Sequence, residues 1–263
     1  MTTPRRRRVG RLAVCAIGAA AVIALAAPAN AAPLPAPGDF DGVPARTSLS
    51  YTSSATGVHV GTPNENEPRP GLSTVKLYLA DYVLRRGDSS PEDLGLAARM
   101  IEVSDDWAAS QLDAKYPEAI DAIAAEYGLT ATDRGGFWGS SSTSTADTVR
   151  FLDAKQRTDP SSPVLAWMTT AAPVAADGTV QDWGTGQLGA VSGTKWGWAD
   201  DRSSVVASAS IGNGFTIASN TYGGPGTQTE DVLGALAPFD LVSSPMVVLP
   251  SHPTLIDMLF APG

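Results

Sequence analysis

The sequence predicts an α/β (α+β) fold, in which an antiparallel sheet is flanked by N- and C-terminal helices and an all-helical lobe is inserted. Three observations predict it. A strand pattern and an amphipathic helix come first, and a block of helical patterns follows over about 88–172. Three short β-type runs and a last helix then close the domain. Polar turn residues separate these runs, which favours hairpins and therefore antiparallel neighbours.

Residues 1–31 have the composition of a secretory signal peptide. Arg5–Arg8 and Arg11 form a basic start, an apolar run follows, and Ala29-x-Ala31 offers small residues for cleavage. We expect export with cleavage rather than a retained membrane anchor. The mature chain would then be secreted or lie in the cell wall or another extracytoplasmic space. The arginine run leaves both Sec and twin-arginine export open.

Charge and composition exclude several classes of partner. Cys15 is the only cysteine and lies in the leader, so a buried core has to stabilise the fold without disulfides. Without the leader the chain would carry 13 basic and 27 acidic residues, a net charge of −14. We therefore expect no nucleic-acid partner. His59 and His252 lie far apart with no cysteine nearby, so we expect no metal and no cofactor.

The domain is expected over 49–240, with a flexible lead-in at 32–48 and a C-terminal tail at 241–263. The lead-in is rich in Pro, Gly and Ala, and the tail is rich in Pro. Val58 and Val60 alternate just before a turn, which predicts a strand. We expect a monomer, with no membrane contact after cleavage.

Helical periodicity follows this strand. Apolar residues at 72, 75, 79 and 83 predict a helix that stops at Gly87. Ser90 as cap, Pro91 and two acidic residues predict a second helix start. Later helical patterns lie in "PEAIDAIAAEYGL", "STADTVRFLDAKQ", "SSPVLAWMTTA" and "TQTEDVLGALA", and the β-type runs are "GAVSGTKWGW", "SSVVASASIG" and "GFTIASNTYG".

Ser73 and Lys76 form a candidate catalytic pair. At a spacing of i, i+3 the two side chains share one helix face, and a neutral lysine amine could take the proton of a serine hydroxyl. A serine at a helix N-terminus also gains a backbone donor for an oxyanion. The pattern alone is weak, because a helix cap followed by a solvated lysine has the same letters.

Two further stretches give the pair a context. "VSDDW" places Ser104 and Asp106 on a helical pattern, and "KWG" places Lys195 on the first β-type run. The order Ser-x-x-Lys, Ser-Asp-x, Lys-x-Gly resembles the serine β-lactamase and penicillin-binding D,D-peptidase superfamily, most closely its class A β-lactamase-like branch. The resemblance covers roughly residues 50–235.

The resemblance implies a role for each matched residue. Ser73 would be the nucleophile and Lys76 its general base or proton relay. Ser104 would pass a proton to the leaving group, and Lys195 would supply positive potential. The backbone N–H groups of Ser73 and Trp198 would form the oxyanion hole.

The sequence departs from the family pattern in the second and third motifs. Asp106 stands where the family has asparagine, and an ionised carboxylate cannot donate a hydrogen bond and would hold Lys76 protonated. Trp196 stands where the family has a hydroxyl residue. Thr194 could replace that hydroxyl if the strand were twisted or bulged. We expect Asp106, Thr194, Trp196 and Gly197 to contact the substrate.

A third departure concerns hydrolysis of the acyl-enzyme. Counting from Arg134 places Gly136 where class A β-lactamases have a glutamate, so no carboxylate is expected there to activate water. Asp133 is the nearest acid, and we expect it to pair with Arg134 and shape the loop.

These observations leave three hypotheses. The first is an exported serine hydrolase that forms an acyl-serine on a cell-wall (peptidoglycan) peptide, a β-lactam-like molecule or another amide or ester. The second is a weak or divergent class A-like β-lactamase. The third is a non-catalytic cell-wall-binding protein that retains the scaffold. The four matched residues favour an enzyme, whereas Asp106, Trp196 and Gly136 favour the third hypothesis.

Overall fold

A computed structural model describes residues 34–239 and 241, and this part of the chain contains seven α-helices and seven strands. The predicted leader and residues 242–263 of the expected tail lie outside the described residues. In the part that is described, no helix is both long and apolar enough to cross a bilayer. The strands are β1 (Thr47–Ser53), β2 (His59–Gly61), β3 (Arg69–Pro70), β4 (Ser142–Thr143), β5 (Val191–Trp198), β6 (Val206–Gly212) and β7 (Phe215–Thr221). The helices are α1 (Lys76–Arg86), α2 (Pro91–Glu102), α3 (Asp106–Lys115), α4 (Ala119–Tyr127), α5 (Thr145–Thr158), α6 (Pro163–Thr169) and α7 (Pro225–Leu236).

The main sheet has five strands in the order β2-β1-β7-β6-β5, and all neighbours are antiparallel. The last three strands form the predicted meander. β1, from the other end of the domain, pairs with β7 along its full length. β5 lies at the end of the order, so one of its edges faces away from β6 and is free to border a site.

The core divides between the two faces of this sheet. On one face Ala209, Ile211 and Ala218 join a cluster with α1 to α6, in which Tyr78 of α1 meets Phe151 of α5 edge to face at 5.1 Å. On the other face Leu49, Tyr51 and Ile217 pack with α7. The predicted mixed fold is confirmed. However, α5 packs on β1 and β7, so the inserted helices do not form a wholly separate lobe.

The predicted lead-in needs a correction. β1 begins at Thr47, and Phe40 is fully buried against the α7 face of the sheet. The sequence hides β1 because its buried side chains are mostly hydroxyls. These hydroxyls are paired, since Ser48 and Ser50 hydrogen-bond to Thr145. Paired hydroxyls can be buried without the cost of an unsatisfied polar group.

The placement of Ser104 on a helix is also corrected. α2 ends at Glu102 and α3 begins at Asp106, and Ser104 lies between them with a φ of +53°. Asp105 accepts a hydrogen bond from Ala108 N at 3.1 Å and caps α3. A capping aspartate starts a new helix, which explains why the helical pattern is interrupted here.

Candidate active site

Ser73 lies on a 3₁₀ turn, Leu72–Val75, that leads directly into α1. The residue before it, Leu72, has a φ of +51°, a left-handed conformation that costs a leucine energy. Ser73 is only 7% exposed, and what is exposed opens into a cleft of about 620 Å³. Within the described residues its Oγ has no hydrogen-bond partner, so the hydroxyl is available to a ligand.

Lys76 is fully buried one turn further along. Its Nζ donates to the carbonyl oxygen of Ser104 at 2.9 Å and to Oδ1 of Asp106 at 2.5 Å. The indole ring of Trp138 lies 4.5 Å from the same nitrogen. The Lys76 amine therefore contacts the Ser104 backbone, the Asp106 carboxylate and the Trp138 ring at once.

Lys195 of β5 reaches Ser104 from the sheet. Its Nζ donates to Oγ of Ser104 at 2.7 Å and to the carbonyl oxygen of Trp196 at 3.2 Å. Ser104 thus accepts from Lys76 through its backbone oxygen and from Lys195 through its hydroxyl. The structure brings Ser73, Lys76, Ser104 and Lys195, predicted from three distant parts of the chain, to one place.

Burial makes both amines easier to deprotonate. Loss of hydration lowers the pKa of Lys76, and the Asp106 carboxylate offsets only part of this effect. Burial also lowers the pKa of Lys195 well below its usual range, and the neighbouring Lys76 lowers it further. As expected from the sequence, Asp106 by itself favours the protonated form of Lys76, but burial outweighs it and the pKa lies below its usual value.

Gly197 lets β5 approach the backbone of Ser73, the candidate nucleophile. A Cβ at this position would lie 2.8 Å from the Ser73 backbone nitrogen and 2.8 Å from the Leu72 Cβ. Ala199 N donates to Val205 O at 3.0 Å, so the antiparallel ladder turns the N–H of Trp198 away from β6 and toward the free edge. The two expected oxyanion donors thus lie on adjoining segments.

Trp196 and Thr194 are not brought into the cleft. Both point to the sheet face opposite Lys195, because successive residues of a strand alternate. Trp196 donates from Nε1 to the carbonyl oxygen of Trp183 at 2.9 Å, and Thr194 shares a hydrogen bond with Ser210 at 2.8 Å. The bulge in β5 lies between Val191 and Gly193, before Thr194. Their predicted substrate contacts are therefore corrected.

The cleft is lined by Ser73, Asp106 and Trp198, which were named from the sequence, and by further residues that were not. Asp106 lies at the cleft as predicted, with its side chain 69% exposed. Phe137 and Trp138 come from the loop that follows Arg134, where two aromatic residues stand in a stretch of Gly and Ser. That contrast is the one sequence signal that could have identified them. The other lining residues are Pro70, Leu72, Gly139, Asp177, Ala199, Asp200, Arg202 and Val205.

The loop beside the cleft is held differently from expectation. Arg134 pairs with Asp113 of α3 through two hydrogen bonds, at 2.7 and 2.8 Å. Asp133 instead accepts from the backbone nitrogen of Gly135 at 2.8 Å. Gly136 has a φ of +103° and no side chain, so its position contributes no base. In the described part of the chain, no cluster of three or more His, Cys, Asp or Glu side chains could hold a metal ion.

Comparisons with known proteins bear on this arrangement. No family model and no curated protein matches the chain. An ancestral class A β-lactamase has a TM-score of 0.57 at 18% identity, covering 75% of this chain and 94% of its own. Penicillin-binding protein D2 from Listeria monocytogenes, solved with cefotaxime bound, has a TM-score of 0.53 at 18% identity, covering 73% and 95%. A β-lactamase from Streptosporangium roseum has a TM-score of 0.55 at 15% identity, covering 73% and 91%.

These likenesses show that the chain has the fold of the serine β-lactamase and penicillin-binding protein superfamily. The resemblance read from the three motifs is confirmed at the level of the fold. Within this fold, the described residues define a site in which one unpartnered serine hydroxyl opens into a cleft and two buried lysines meet at Ser104.

Proposed function

We propose that this protein is an exported serine hydrolase that acts through an acyl intermediate on Ser73. One observation carries the proposal. Ser73 Oγ is unpartnered and opens into the cleft, while the Lys76 and Lys195 amines meet at Ser104 beside it. An activated nucleophile needs a base within reach and a donor for the leaving group, and these residues are of the right chemical types.

The proposed acylation has two steps: Ser73 adds to the substrate carbonyl, and the tetrahedral intermediate then expels the leaving group. Ser73 Oγ attacks the carbonyl carbon of the substrate while the neutral amine of Lys76 takes the hydroxyl proton. The oxyanion receives hydrogen bonds from the N–H groups of Ser73 and Trp198. Ser104, hydrogen-bonded to Lys195, gives its proton to the leaving nitrogen or oxygen as that bond breaks, and regains one from the lysines.

Lys76 contacts Asp106 and Ser104 in the unliganded site, and the proposal needs its amine to reach Ser73. Catalytic hydrogen bonds are often long in free enzymes and tighten when substrate binds. The same geometry favours the competing proposal, a non-catalytic cell-wall-binding protein whose lysine serves only to hold the turn. A weak β-lactamase is the other alternative.

We propose a cell-wall peptide, a β-lactam-like molecule or another amide or ester as substrate. The bound cefotaxime of the Listeria protein is consistent with this range. Export rests on the predicted leader. We also propose a monomer.

Covalent labelling tests the proposal. Mature protein is incubated with a fluorescent penicillin and with a fluorophosphonate, and adducts are measured by intact mass. We expect one adduct per chain in the wild type and none in Ser73→Ala. Ser161→Ala, which removes an exposed hydroxyl before α6, serves as the control and should label normally.

Each result separates the hypotheses. A lasting penicillin adduct supports a peptidase-like hydrolase, and rapid turnover of nitrocefin supports a β-lactamase. Absence of any adduct with both reagents in folded wild-type protein would support the non-catalytic binder.

A further inference from the structure

An acyl-serine ester has to be hydrolysed, and water attacks such an ester slowly unless a base takes its proton. Three carboxylates line the cleft: Asp106, Asp177 and Asp200. Asp177 accepts from Trp198 Nε1 at 3.1 Å and from Arg202 at 3.4 Å, and neither contact is to a lysine of the site. Asp106 is the one of the three that is hydrogen-bonded to Lys76.

The geometry of Asp106 suits a base that handles water. It is the first residue of α3, and its Oδ1 accepts from Lys76. Within the described residues Oδ2 has no hydrogen-bond partner, and the side chain is 69% exposed. One carboxylate oxygen of Asp106 therefore accepts a hydrogen bond from the buried Lys76 amine, while the other faces the solvent of the cleft.

Among the described residues, no other carboxylate that lines the cleft is hydrogen-bonded to Lys76. Gly136 carries no side chain, and the loop after it presents Phe137 and Trp138 to the cleft. Trp138 occupies another side of Lys76, with its ring 4.5 Å from Nζ. Among the described residues, Asp106 is thus the carboxylate that contacts both the solvent of the cleft and the lysine next to Ser73.

We propose that Asp106 is the general base that activates water for hydrolysis of the acyl-Ser73 ester. The inference rests on the proposed function. Water oxygen attacks the ester carbonyl carbon while Oδ2 of Asp106 takes a water proton. The tetrahedral intermediate then collapses and breaks the bond to Ser73 Oγ, which takes the proton that Asp106 passes on through the Lys76 amine. The acid product leaves, and Asp106 is again a carboxylate and Lys76 a neutral amine, as acylation requires.

A single conservative variant tests this role. Asp106→Asn keeps the shape of the side chain but removes the base. With a p-nitrophenyl ester we expect an initial burst of one nitrophenolate per chain and then turnover slowed at least about 100-fold, because general bases contribute 10²–10⁴-fold. Intact mass should show a persistent acyl group on Ser73. Acylation should not slow, since loss of the carboxylate removes an influence that keeps Lys76 protonated.

Two matched measurements make the test specific. Asp41→Asn removes the same charge from an exposed side chain outside the cleft, and its turnover should stay within about 3-fold of wild type. Asp106→Ala should regain hydrolysis with added formate, a small carboxylate, but not with chloride at equal ionic strength.

The outcomes distinguish this inference from the proposed function. Turnover in Asp106→Asn that equals or exceeds wild type, without a trapped acyl group, would overturn the role of Asp106 and leave the acyl-serine mechanism intact. Wild-type protein that forms no Ser73 adduct and releases no nitrophenolate would overturn both. Slow turnover with a trapped adduct, together with formate rescue, supports both.

Discussion

Ser104 is held in a left-handed backbone conformation that a serine rarely adopts. Its φ is +53°, and such strain costs on the order of 1–3 kcal/mol. The two lysines offset it, because Lys76 binds its carbonyl oxygen and Lys195 its hydroxyl. Leu72, next to the candidate nucleophile, is strained in the same way. Of the four non-glycine residues with a positive φ in the described part of the chain, Leu72 and Ser104 lie at the candidate catalytic residues, whereas Ser89 lies in the loop before α2 and Arg202 in a loop that lines the cleft.

At the residue scale we predict that Lys195→Met stabilises the protein. The pKa of Lys195 is far lower in the folded than in the unfolded chain, so between these two values only the unfolded chain binds the proton. The free energy of unfolding then rises with pH across this window, and near pH 7 burial of the amine lowers the stability of the fold. We expect the variant to gain about 1 kcal/mol at pH 7 and to lose part of that pH dependence.

Chemical denaturation at several pH values measures this effect. Lys115→Met is the matched control, because Asp88 and Asp93 raise the pKa of that exposed lysine. At pH 7, which is below the pKa of this lysine in the unfolded chain, the Lys115 ion pairs stabilise the fold fully. Lys115→Met should therefore not gain stability at pH 7. A Lys195→Met protein that is less stable than wild type across the pH range would contradict the prediction.

At the element scale, an ion pair attaches the loop from Asp133 to Ser142 to α3, together with a hydrogen bond from Trp138 Nε1 to Ser110 Oγ at 3.1 Å. Arg134 and Asp113 bind through two hydrogen bonds, and the Asp113 side chain is only 6% exposed. Asp113→Asn leaves a mostly buried guanidinium without its counter-charge. We therefore expect a loss of about 2 kcal/mol of unfolding free energy.

Hydrogen exchange should locate that change. Amides of the loop and of the start of α3 should exchange faster in Asp113→Asn, and turnover should fall because Trp138 lies on this loop. Asp133→Asn is the control, since its side chain accepts only from the nearby Gly135 and asparagine can do the same. Equal protection in Asp113→Asn and wild type would argue against the anchoring role.

Whether an element could be predicted depended on how it is buried. Helices with an apolar stripe and the strands of the meander follow from periodicity. β1 does not, because Ser48, Ser50 and Thr47 are buried through hydroxyl pairs with Thr145 and Asp231. A hydrophobicity pattern cannot detect partners that come from distant parts of the chain. The interruption between α2 and α3 at Ser104 was not predicted for a similar reason, because the residues that hold it, Lys76 and Lys195, are distant in the chain.

The sequence predicts which residues lie together at the candidate site, but not their geometry. Motif order identified Ser73, Lys76, Ser104 and Lys195. The position of Trp196 follows from strand alternation once Lys195 is assigned to the inner face. The Arg134 pairing with Asp113 was not predictable, because it depends on how α3 packs beside the loop.

At the scale of the whole molecule, a buried ion pair joins α1 to α5. Asp81 Oδ1 lies 2.9 Å from Lys155 Nζ, an ionic contact without hydrogen-bond alignment, and both side chains are at most 1% exposed. Asp81 also accepts from Arg85, and Lys155 also donates to Asp159 at 2.6 Å, so the variant Asp81→Asn leaves Lys155 with one counter-charge. We therefore expect a cost of about 2 kcal/mol, the size of one lost hydrogen bond to a charged group. For a domain of this size that lowers Tm by roughly 2–4 °C for each kcal/mol.

A double variant tests the reasoning. Asp81→Leu with Lys155→Met replaces both charges by apolar groups of similar size, and this pair should cost less than Asp81→Asn alone. Thermal unfolding followed by circular dichroism compares the three proteins. A double variant less stable than the single one would show that the ion pair itself is net stabilising.

The contact between Trp138 and Lys76 has a practical consequence. An indole that lies both on a cleft wall and 4.5 Å from an amine gives an intrinsic optical signal of what enters the cleft. Ligand occupancy and proton movement at that amine should both alter its emission. Wild-type protein compared with Trp138→Phe would then allow unlabelled compounds to be screened by fluorescence before any substrate is known.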